Sequence, residues 1–219
     1  MAQVKDIAPS SASAFPDFGP QPPTALGSTA FFAANDGTTG LELWRSRGTD
    51  GDTSLVKDIA QGSGDADPQW LTALGDTLFF IADDGAHGPE LWKTDGTAEG
   101  TVLVKDIRTG PEGSEAGFLT ALGDTLFLIA NDGTHGLELW KSDGTEAGTV
   151  LVKDLVPGAA GSGVSSLAVF AGQLYFAADG GPHEAELWKT NGFEEGTERV
   201  AVVRVIESDP GEQLIRGLT

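Results

Sequence analysis

The tripeptide Glu-Leu-Trp occurs four times in this sequence, and its spacing constrains the fold more than any other feature. The tryptophans of the four copies lie 48 residues apart, at Trp44, Trp92, Trp140 and Trp188. Around them, residues 72–79 are identical to residues 120–127, and Leu-Val-Lys-Asp recurs with the same period. Self-similarity at a fixed period is typical of proteins in which each repeat is one structural unit that packs on its neighbours.

Each repeat is predicted to contain four strands, and the third repeat shows the pattern most clearly. The second strand, 125–130, is a nearly unbroken apolar run, as expected of a strand buried on both faces. The third strand, 137–142, alternates apolar and polar residues, and the fourth lies within 149–155. Gly-Asp, Asn-Asp-Gly and Asp-Gly-Thr separate these strands and indicate tight turns. The 31 glycines and 11 prolines of the chain also favour many short strands over long helices.

Four antiparallel strands in about 48 residues is the size of one β-propeller blade. We therefore predict an all-β fold, a β-propeller or propeller fragment built from four-stranded antiparallel blades. A single repeat domain spans 1–219. Its repeats cover approximately 8–59, 60–107, 108–155 and 156–206, and end strands lie at 3–7 and 212–219. In the fourth repeat the sequence places the fourth strand at 202–206, after an insertion of three residues.

The two end strands belong to units that the chain does not complete. The chain is then an excerpt of a longer array, or a ring closed over an incomplete blade, or a protein that receives strands from another chain. Unpaired strand edges favour association, so a homo-oligomer or strand exchange is expected as one outcome.

Charge and composition exclude several classes of function. The chain has 13 basic and 33 acidic residues, a net charge of -20, which opposes binding to nucleic acids and to anionic membrane surfaces. It has no cysteine, and no apolar run approaches the length of a membrane span. The first residues lack the apolar segment of a secretory signal, so none is expected in this chain. We expect no nucleic-acid partner and no membrane insertion.

The segment from Glu138 to Asp154 resembles the ELWxxDGT repeat of bacterial repeat proteins, and the segment from Glu90 to Asp106 fits that pattern equally well. The first repeat departs at Arg47, and the fourth departs at Asn191 and Phe193. The resemblance covers nearly the whole chain. It implies long arrays, usually in exported or cell-surface proteins, with no general enzymatic activity, and it leaves the compartment of this chain open.

Several repeated residues are expected to be structural. The four Glu-Leu-Trp tryptophans should pack one blade on the next, and Asp95 and Asp143 should fix the hairpin before the fourth strand. The glutamates of Glu-Leu-Trp are expected to form cross-strand ion pairs with lysines of the fourth strand. Trp70 has Phe118 and Ser166 as its counterparts, and it either packs locally or contacts a ligand.

The loops between the second and third strands carry the candidate binding residues. All three histidines of the chain lie in these loops, 48 residues apart. Three interpretations remain open: Asn and Asp side chains that stabilise turns, oxygen ligands for Ca²⁺, or a polar ligand site on one rim of the propeller. The candidate residues are Asn35, Asp36, Asp83, Asp84, His87, Asn131, Asp132, His135, Asp179 and His183.

The repeat pattern favours a binding function over catalysis. Enzymes on this fold draw unlike residues from different blades, whereas these repeats are nearly identical. We expect a non-enzymatic binding or scaffold module that recognises a protein or glycan through its rim loops, with no cofactor and no catalytic residues. Two alternatives remain: a calcium-dependent adhesion or structural module, and a structural spacer without a ligand.

Overall fold

A computed structural model describes residues 5–7, 22–179, 185–203, 205–208 and 212–215. It contains four four-stranded antiparallel sheets, which we call blades 1 to 4, and one two-stranded hairpin. The strands are β1 (Thr24–Leu26), β2 (Thr29–Asn35), β3 (Leu41–Ser46) and β4 (Ser54–Lys57) in blade 1; β5 (Gln69–Leu74), β6 (Thr77–Ala82), β7 (Glu90–Thr94) and β8 (Val102–Lys105) in blade 2; β9 (Gly117–Leu122), β10 (Thr125–Asn131), β11 (Leu137–Ser142) and β12 (Val150–Lys153) in blade 3; β13 (Ser165–Phe170), β14 (Gln173–Asp179), β15 (Ala185–Thr190) and β16 (Glu198–Val203) in blade 4; and β17 (Val205–Ser208) and β18 (Glu212–Ile215) in the hairpin.

The all-β prediction is confirmed, with four antiparallel blades that are not closed into a ring. In blade 3, β10 is buried from Leu126 to Ala130, as its apolar run predicts. The third strand has the predicted bounds, 137–142, and its register places Trp140 opposite Leu128. The turn between β9 and β10 uses Gly123 at φ +59°, a left-handed conformation that glycine adopts without a steric cost.

The prediction for the fourth strand of blade 4 is wrong. This strand is β16, and its register pairs Leu187 with Ala201, as Leu139 pairs with Lys153 one repeat earlier. The 48-residue period therefore continues without an insertion. Residues 205–208 belong instead to the separate hairpin, in which Val205 pairs with Ile215.

The predicted end strands are described only in part. Residues 5–7 carry no strand, although Lys5 Nζ donates a hydrogen bond to the Thr53 carbonyl at 3.0 Å. At the other end, Glu212–Ile215 does form a strand. Residues 3, 4 and 216–219 lie outside the described part.

The first strands of successive blades lie side by side, which places them along one inner edge of the array. β1 neighbours β5, β5 neighbours β9, and β9 neighbours β13. Side-chain hydroxyls connect them: Thr24 Oγ1 donates to the Leu71 carbonyl at 3.1 Å, and Thr72 Oγ1 donates to the Leu119 carbonyl at 3.3 Å. The inner edge is therefore a continuous surface formed by several blades.

The hydrophobic core lies between the blades, in one cluster at each junction. Trp92 of blade 2 is buried with Phe31 and Leu43 of blade 1. Trp140 of blade 3 occupies the equivalent place against blade 2, and Trp188 packs against the blade 3 cluster. Trp44, Trp92 and Trp140 are each 6 % exposed. Burying a side chain of this size is among the largest single contributions to packing available in a small β-sheet unit.

Basic side chains connect each blade to the next at two places. In blades 1 to 3, the residue after the Glu-Leu-Trp tryptophan donates to the glycine carbonyl of the Asp-Gly-Thr type turn of the next blade: Arg45 to Gly96 at 2.6 Å, Lys93 to Gly144 at 2.7 Å and Lys141 to Gly192 at 2.7 Å. The lysine of the fourth strand donates to a threonine carbonyl of the next blade: Lys57 to Thr101, Lys105 to Thr149 and Lys153 to Thr197. We call these bonds the junction hydrogen bonds.

The glutamates of Glu-Leu-Trp do not form the expected ion pairs in blades 1 to 3. Glu90 is fully buried, and it accepts hydrogen bonds from the backbone N–H groups of Ile107 and Arg108 and from the Ser114 hydroxyl, the last at 2.7 Å. Glu138 likewise accepts bonds from Val156 N–H and Ser162 Oγ. The carboxylates thus hold the chain segment that follows the fourth strand. The fourth-strand lysines are not their partners because those lysines donate to the next blade.

Blade 4 is the exception, because Glu186 forms an ion pair with Arg199 of β16 at 2.6 Å. Arg199 stands where Leu151 stands in blade 3. Glu186 also accepts a hydrogen bond from the Trp188 indole at 3.0 Å.

Burial raises the pKa of the Glu-Leu-Trp carboxyl groups in blades 1 to 3. The pKa values of Glu42 and Glu90 rise to about 7, and the pKa of Glu138 also rises, in each case because burial disfavours the charged form. Blade 1 differs from its neighbours at one partner, since Ala66 stands where Ser114 and Ser162 donate. Among the described residues, no donor reaches Glu42 Oε2, although this oxygen is buried.

Replacing Ala66 with serine is expected to stabilise the protein. Ala66, Ser114 and Ser162 are all fully buried, so the equivalent sites already hold a hydroxyl. The new hydrogen bond to Glu42 should raise the free energy of unfolding by about 1 kcal/mol and lower the pKa of Glu42. Urea denaturation at pH 7 measures the first effect, and carboxyl-selective NMR titration measures the second.

The matched control is Ser114→Ala, which removes the same hydroxyl from Glu90. It should lower the free energy of unfolding by about 1–3 kcal/mol. Ala66→Ser should raise the free energy of unfolding and Ser114→Ala should lower it. A destabilising Ala66→Ser would contradict this account of the buried glutamates.

Candidate functional site

The loops between the second and third strands lie at one end of the blades, which we call the rim. Each described loop starts with a turn closed by its own side chain. Asn35, Asp83 and Asn131 each accept a hydrogen bond through Oδ1 from the glycine N–H two residues later, at 2.7–2.8 Å. This local bonding is the reason that Asn and Asp are favoured in turns.

The second acidic residue of each loop holds the rest of the turn. Asp84 Oδ1 accepts the N–H groups of Ala86 and His87, and its Oδ2 lies 2.8 Å from His87 Nδ1. Asp132 does the same with Thr134 and His135, with a distance of 2.7 Å between Oδ2 and His135 Nδ1. Blades 2 and 3 therefore present the same Asp–His pair.

The Asp–His pairs leave the histidine rings accessible. The side chains of His87 and His135 are 40 % and 36 % exposed, whereas Asp84 and Asp132 are 19 % and 18 % exposed. The hydrogen bond that His87 Nδ1 donates to Asp84 and the negative charge of Asp84 raise the pKa of His87, and the hydrogen bond that His135 Nδ1 donates to Asp132 raises the pKa of His135. Burial alone would raise the pKa of Asp84 and Asp132, but the bonds from their loops lower it.

The first loop has Thr39 where blades 2 and 3 have histidine. Asp36 Oδ1 accepts bonds from Thr38 N–H, Thr39 N–H and the Thr39 hydroxyl. Burial opposes ionisation here, but these bonds outweigh it and lower the pKa of Asp36 to about 2. The same turn thus forms without an imidazole.

Only part of the fourth loop is described. Asp179 ends β14 with an exposed side chain, and its N–H donates to the Ser162 carbonyl at 2.6 Å. His183 lies outside the described residues.

The rim loops are fixed to the segments that enter their own blade and the next blade. The N–H groups of Asp83 and Asn131 donate to the carbonyls of Ala66 and Ser114, and Asn131 Nδ2 donates to Glu115 Oε1 at 3.1 Å. Gly136, at φ +68°, lies against the Gly161 backbone so closely that a Cβ atom would collide with it. The loops are thus fixed by their backbone contacts.

The second group of aspartates lies at a different set of turns. Asp95 Oδ1 accepts the N–H and the hydroxyl of Thr97 at 2.8 and 2.7 Å, and Asp143 makes the same pair of bonds with Thr145. These bonds lower the pKa of both aspartates, led by the threonine hydroxyl in each case. Both turns carry the glycine carbonyls that accept the junction hydrogen bonds.

The described ranges contain no cluster of three or more His, Asp, Glu or Cys side chains that could hold a metal ion. The same part of the chain has no helix long and apolar enough to cross a membrane. In the rim loops of blades 1 to 3, Oδ1 of each aspartate already accepts N–H groups of its own turn.

Sequence reasoning did not anticipate a stacked aromatic pair near the rim. Trp70 of β5 and Phe118 of β9 have ring centroids 4.8 Å apart at an interplanar angle of 26°, and they are 39 % and 41 % exposed. Both residues have left-handed φ angles, 56° and 54°, at an irregularity in the strand pairing. The 48-residue spacing of Trp70 and Phe118 was the only available signal.

No family model matches this chain, and no curated protein matches it. Solved structures do match, at low sequence identity. A prolyl endopeptidase structure is 17 % identical, with a TM-score of 0.52, over 79 % of this chain and 24 % of the other. A puromycin hydrolase complexed with PGG is 16 % identical, with a TM-score of 0.56, over 84 % of this chain and 29 % of the other. This chain thus spans about a quarter of their length, and the likeness is to β-propeller proteins in fold alone.

Calcium is not expected to stabilise the protein. A site saturated at about 100 times its dissociation constant would add about 2.7 kcal/mol to the free energy of unfolding. Because the rim carboxylates are engaged by N–H groups, the melting temperature should be equal in millimolar Ca²⁺ and in EDTA. Differential scanning calorimetry measures it, with Mg²⁺ as the control, and a calcium-specific rise would place the rim oxygens in metal sites.

Stability is expected to peak at mildly acidic pH. Asp36, Asp84 and Asp132 have pKa values lowered by folding, so their contribution is present above about pH 4 and is lost as pH falls further. Glu42 and Glu90 have pKa values raised by folding from 4.5 to about 7, so their contribution is present below pH 4.5 and is lost as pH rises through 7.

The histidines act in the same direction as the buried glutamates. Folding raises the pKa of His87 and His135, so their contribution is present below the ordinary value of 6.5 and is lost as pH rises through the folded-state pKa. Urea denaturation between pH 3 and 9 should give a maximum near pH 5. A free energy of unfolding that increases from pH 5 to 8 would contradict these pKa directions.

Proposed function

We propose that this chain is a non-enzymatic binding or scaffold module of the ELWxxDGT repeat type, and that it recognises a protein or glycan through its rim. The observation that supports this proposal is the repeated Asp–His pair. Blades 2 and 3 present it in the same loop, with distances of 2.8 and 2.7 Å and with exposed rings. Two identical recognition elements on adjacent blades suit a ligand that itself repeats.

The fixed backbone of the rim also supports binding. A loop that is already held by hydrogen bonds loses little conformational entropy when it meets a ligand, so weak contacts suffice. The net charge of -20 favours neutral or basic ligands over nucleic acids and acidic polymers. Near-identical blades offer few distinct side chains for a catalytic site, which is why we propose binding instead of catalysis.

The experiment compares the wild-type protein with a His87→Ala/His135→Ala double variant on arrays of glycans and of immobilised peptides. Two linked contacts bind a repeating ligand far more tightly than either contact alone. Because the double variant removes both histidine rings, its apparent affinity should fall at least about tenfold. Thr39→Ala is the matched control at the same loop position in blade 1, and it should change binding less than about twofold.

Two results would contradict this proposal. Equal binding by the wild-type protein and the double variant would show that the rim histidines do not contact the ligand. An absence of binding to every glycan and peptide would favour the spacer alternative.

A further inference from the structure

The stacked pair of Trp70 and Phe118 forms an exposed aromatic surface on the inner edge. Trp70 extends from blade 2 over blade 3, where a Cβ atom on Gly117 would lie 3.0 Å from the Trp70 indole nitrogen. The absence of a side chain at Gly117 therefore leaves room for the indole to reach Phe118. Blade 2 has Gln69 and blade 4 has Ser165 at this position.

The backbone that places the pair continues into blade 4. Trp70, Phe118 and Ser166 occupy equivalent positions, and all three have left-handed φ angles between 54° and 57°. β13 lies next to β9, as β9 lies next to β5. The repeat therefore provides three equivalent positions in a row, and the first two hold stacked rings.

The third position holds an exposed serine instead of a ring. Ser166 has no ring with which to cover Phe118 as Trp70 does from the other side, and Phe118 remains 41 % exposed. The ring centroids of Trp70 and Phe118 are 4.8 Å apart, so the two rings are stacked directly on each other. The exposed side of Phe118 next to Ser166 is therefore the place where a third ring would continue the stack.

We propose that this place, which we call the inner-edge slot, binds one pyranose ring of a neutral glycan. The C–H bonds on one face of a pyranose form an apolar surface that packs on an aromatic ring. Its hydroxyl groups need hydrogen-bond partners, and the slot offers the Ser166 hydroxyl and the exposed carboxylate of Glu115, three residues before Phe118. Arg108 lies 3.5 Å from Glu115 Oε1, so Oε2 is the oxygen offered to the sugar. The proposal rests on the proposed function, because it names the ligand class of the same binding module.

Charge favours a neutral sugar over an anionic one. Asp67 and Glu115 are exposed at equivalent positions before Trp70 and Phe118, and the chain carries a net charge of -20. An anionic polysaccharide would be repelled. Glu115 Oε1 also accepts a bond from Asn131 Nδ2 of the rim loop, so the slot and the rim form one continuous surface.

The central test fills the slot. Ser166→Trp adds the missing ring beside Phe118, and Phe118→Ala removes the platform. The probes are neutral hexasaccharides of glucose, mannose, xylose and N-acetylglucosamine in β linkage, together with polygalacturonate and an oligolysine peptide. Isothermal titration calorimetry measures binding to the full chain, and thermal unfolding verifies that each variant is folded.

Trp70 provides a second readout. It is 39 % exposed, whereas Trp44, Trp92 and Trp140 are each 6 % exposed and Trp188 is half-buried. Acrylamide quenching of indole fluorescence in the wild-type protein therefore has its largest contribution from Trp70 and a smaller one from Trp188. Acrylamide is uncharged and is not repelled by the acidic chain. A sugar seated on the pair should reduce this quenching.

We expect one or more neutral hexasaccharides to bind, with at least about a tenfold loss of affinity in both Ser166→Trp and Phe118→Ala. Ser166→Ala, which removes one hydrogen-bond partner but leaves the slot open, should lose less affinity than Ser166→Trp, about threefold to fivefold. Two results would overturn the proposal: no neutral hexasaccharide binds the wild-type protein, or one binds Ser166→Trp as tightly as it binds the wild type. Binding of oligolysine alone would also overturn it, in favour of a cationic peptide.

The His87→Ala/His135→Ala variant separates this proposal from the role of the rim histidines. If it binds the hexasaccharide normally while Ser166→Trp does not, the slot is the sugar site and the histidine assignment fails. If both variants lose binding, the ligand spans the slot and the rim. If only the histidine variant loses binding, the slot proposal fails and the rim assignment stands.

Discussion

Packing of each blade against the next is the interaction on which the rest of this structure depends. A four-stranded sheet of about 48 residues cannot bury its own apolar faces, so stability has to come from its neighbours. Here the tryptophan of one blade is buried in the core of the preceding junction, as Trp92 is beside Phe31 and Leu43. The junction hydrogen bonds fix how neighbouring blades are oriented, because donor side chains on one blade bind carbonyl acceptors on the next.

This arrangement explains why the repeated motif includes both Glu-Leu-Trp and Asp-Gly-Thr. The basic residue after tryptophan and the glycine of the turn are two ends of one hydrogen bond, as between Lys93 and Gly144. The aspartate of the turn holds the hairpin that presents this carbonyl. The buried glutamate serves a different purpose, since Glu90 holds the segment that leads into the following blade and its rim.

Blade 4 differs from the other blades on the face that is turned away from blade 3. Lys189 pairs with Glu198 within its own blade at 2.9 Å, and Ala201 stands where the other blades have the fourth-strand lysine. The side chains that would donate to a further blade are therefore engaged or replaced. The same substitutions explain why the sequence did not predict β16 correctly. Arg199 and Ala201 interrupt the Leu-Val-Lys-Asp pattern that identifies the other fourth strands.

The sequence predicts the blades well because their signals are local. The third strand of blade 3 begins and ends where alternation predicts, since hydrophobic periodicity and turn residues act over a few neighbours. The partners of Glu90 lie 17 to 24 residues away, so the expected ion pair with a lysine was wrong. The stack of Trp70 on Phe118 depends on left-handed residues inside a strand, and this conformation leaves no mark in the pattern of apolar residues.

The rim residues illustrate a further limit of prediction from the sequence. Asn131 and Asp132 are typical of turns, of calcium sites and of ligand loops, and only the bonds made by each oxygen distinguish these uses. In the structure these oxygens accept N–H groups of their own loops, and Asp132 also holds His135.

The central claim, that stability resides in the junctions, is tested most directly at one repeat position in two blades. Lys93 and Lys189 both follow a tryptophan, but Lys93 donates across a junction and Lys189 forms an ion pair within its own blade. Urea denaturation should show a loss of about 1–2 kcal/mol for Lys93→Met and less than about 0.5 kcal/mol for Lys189→Met. Equal losses in the two variants would contradict the claim.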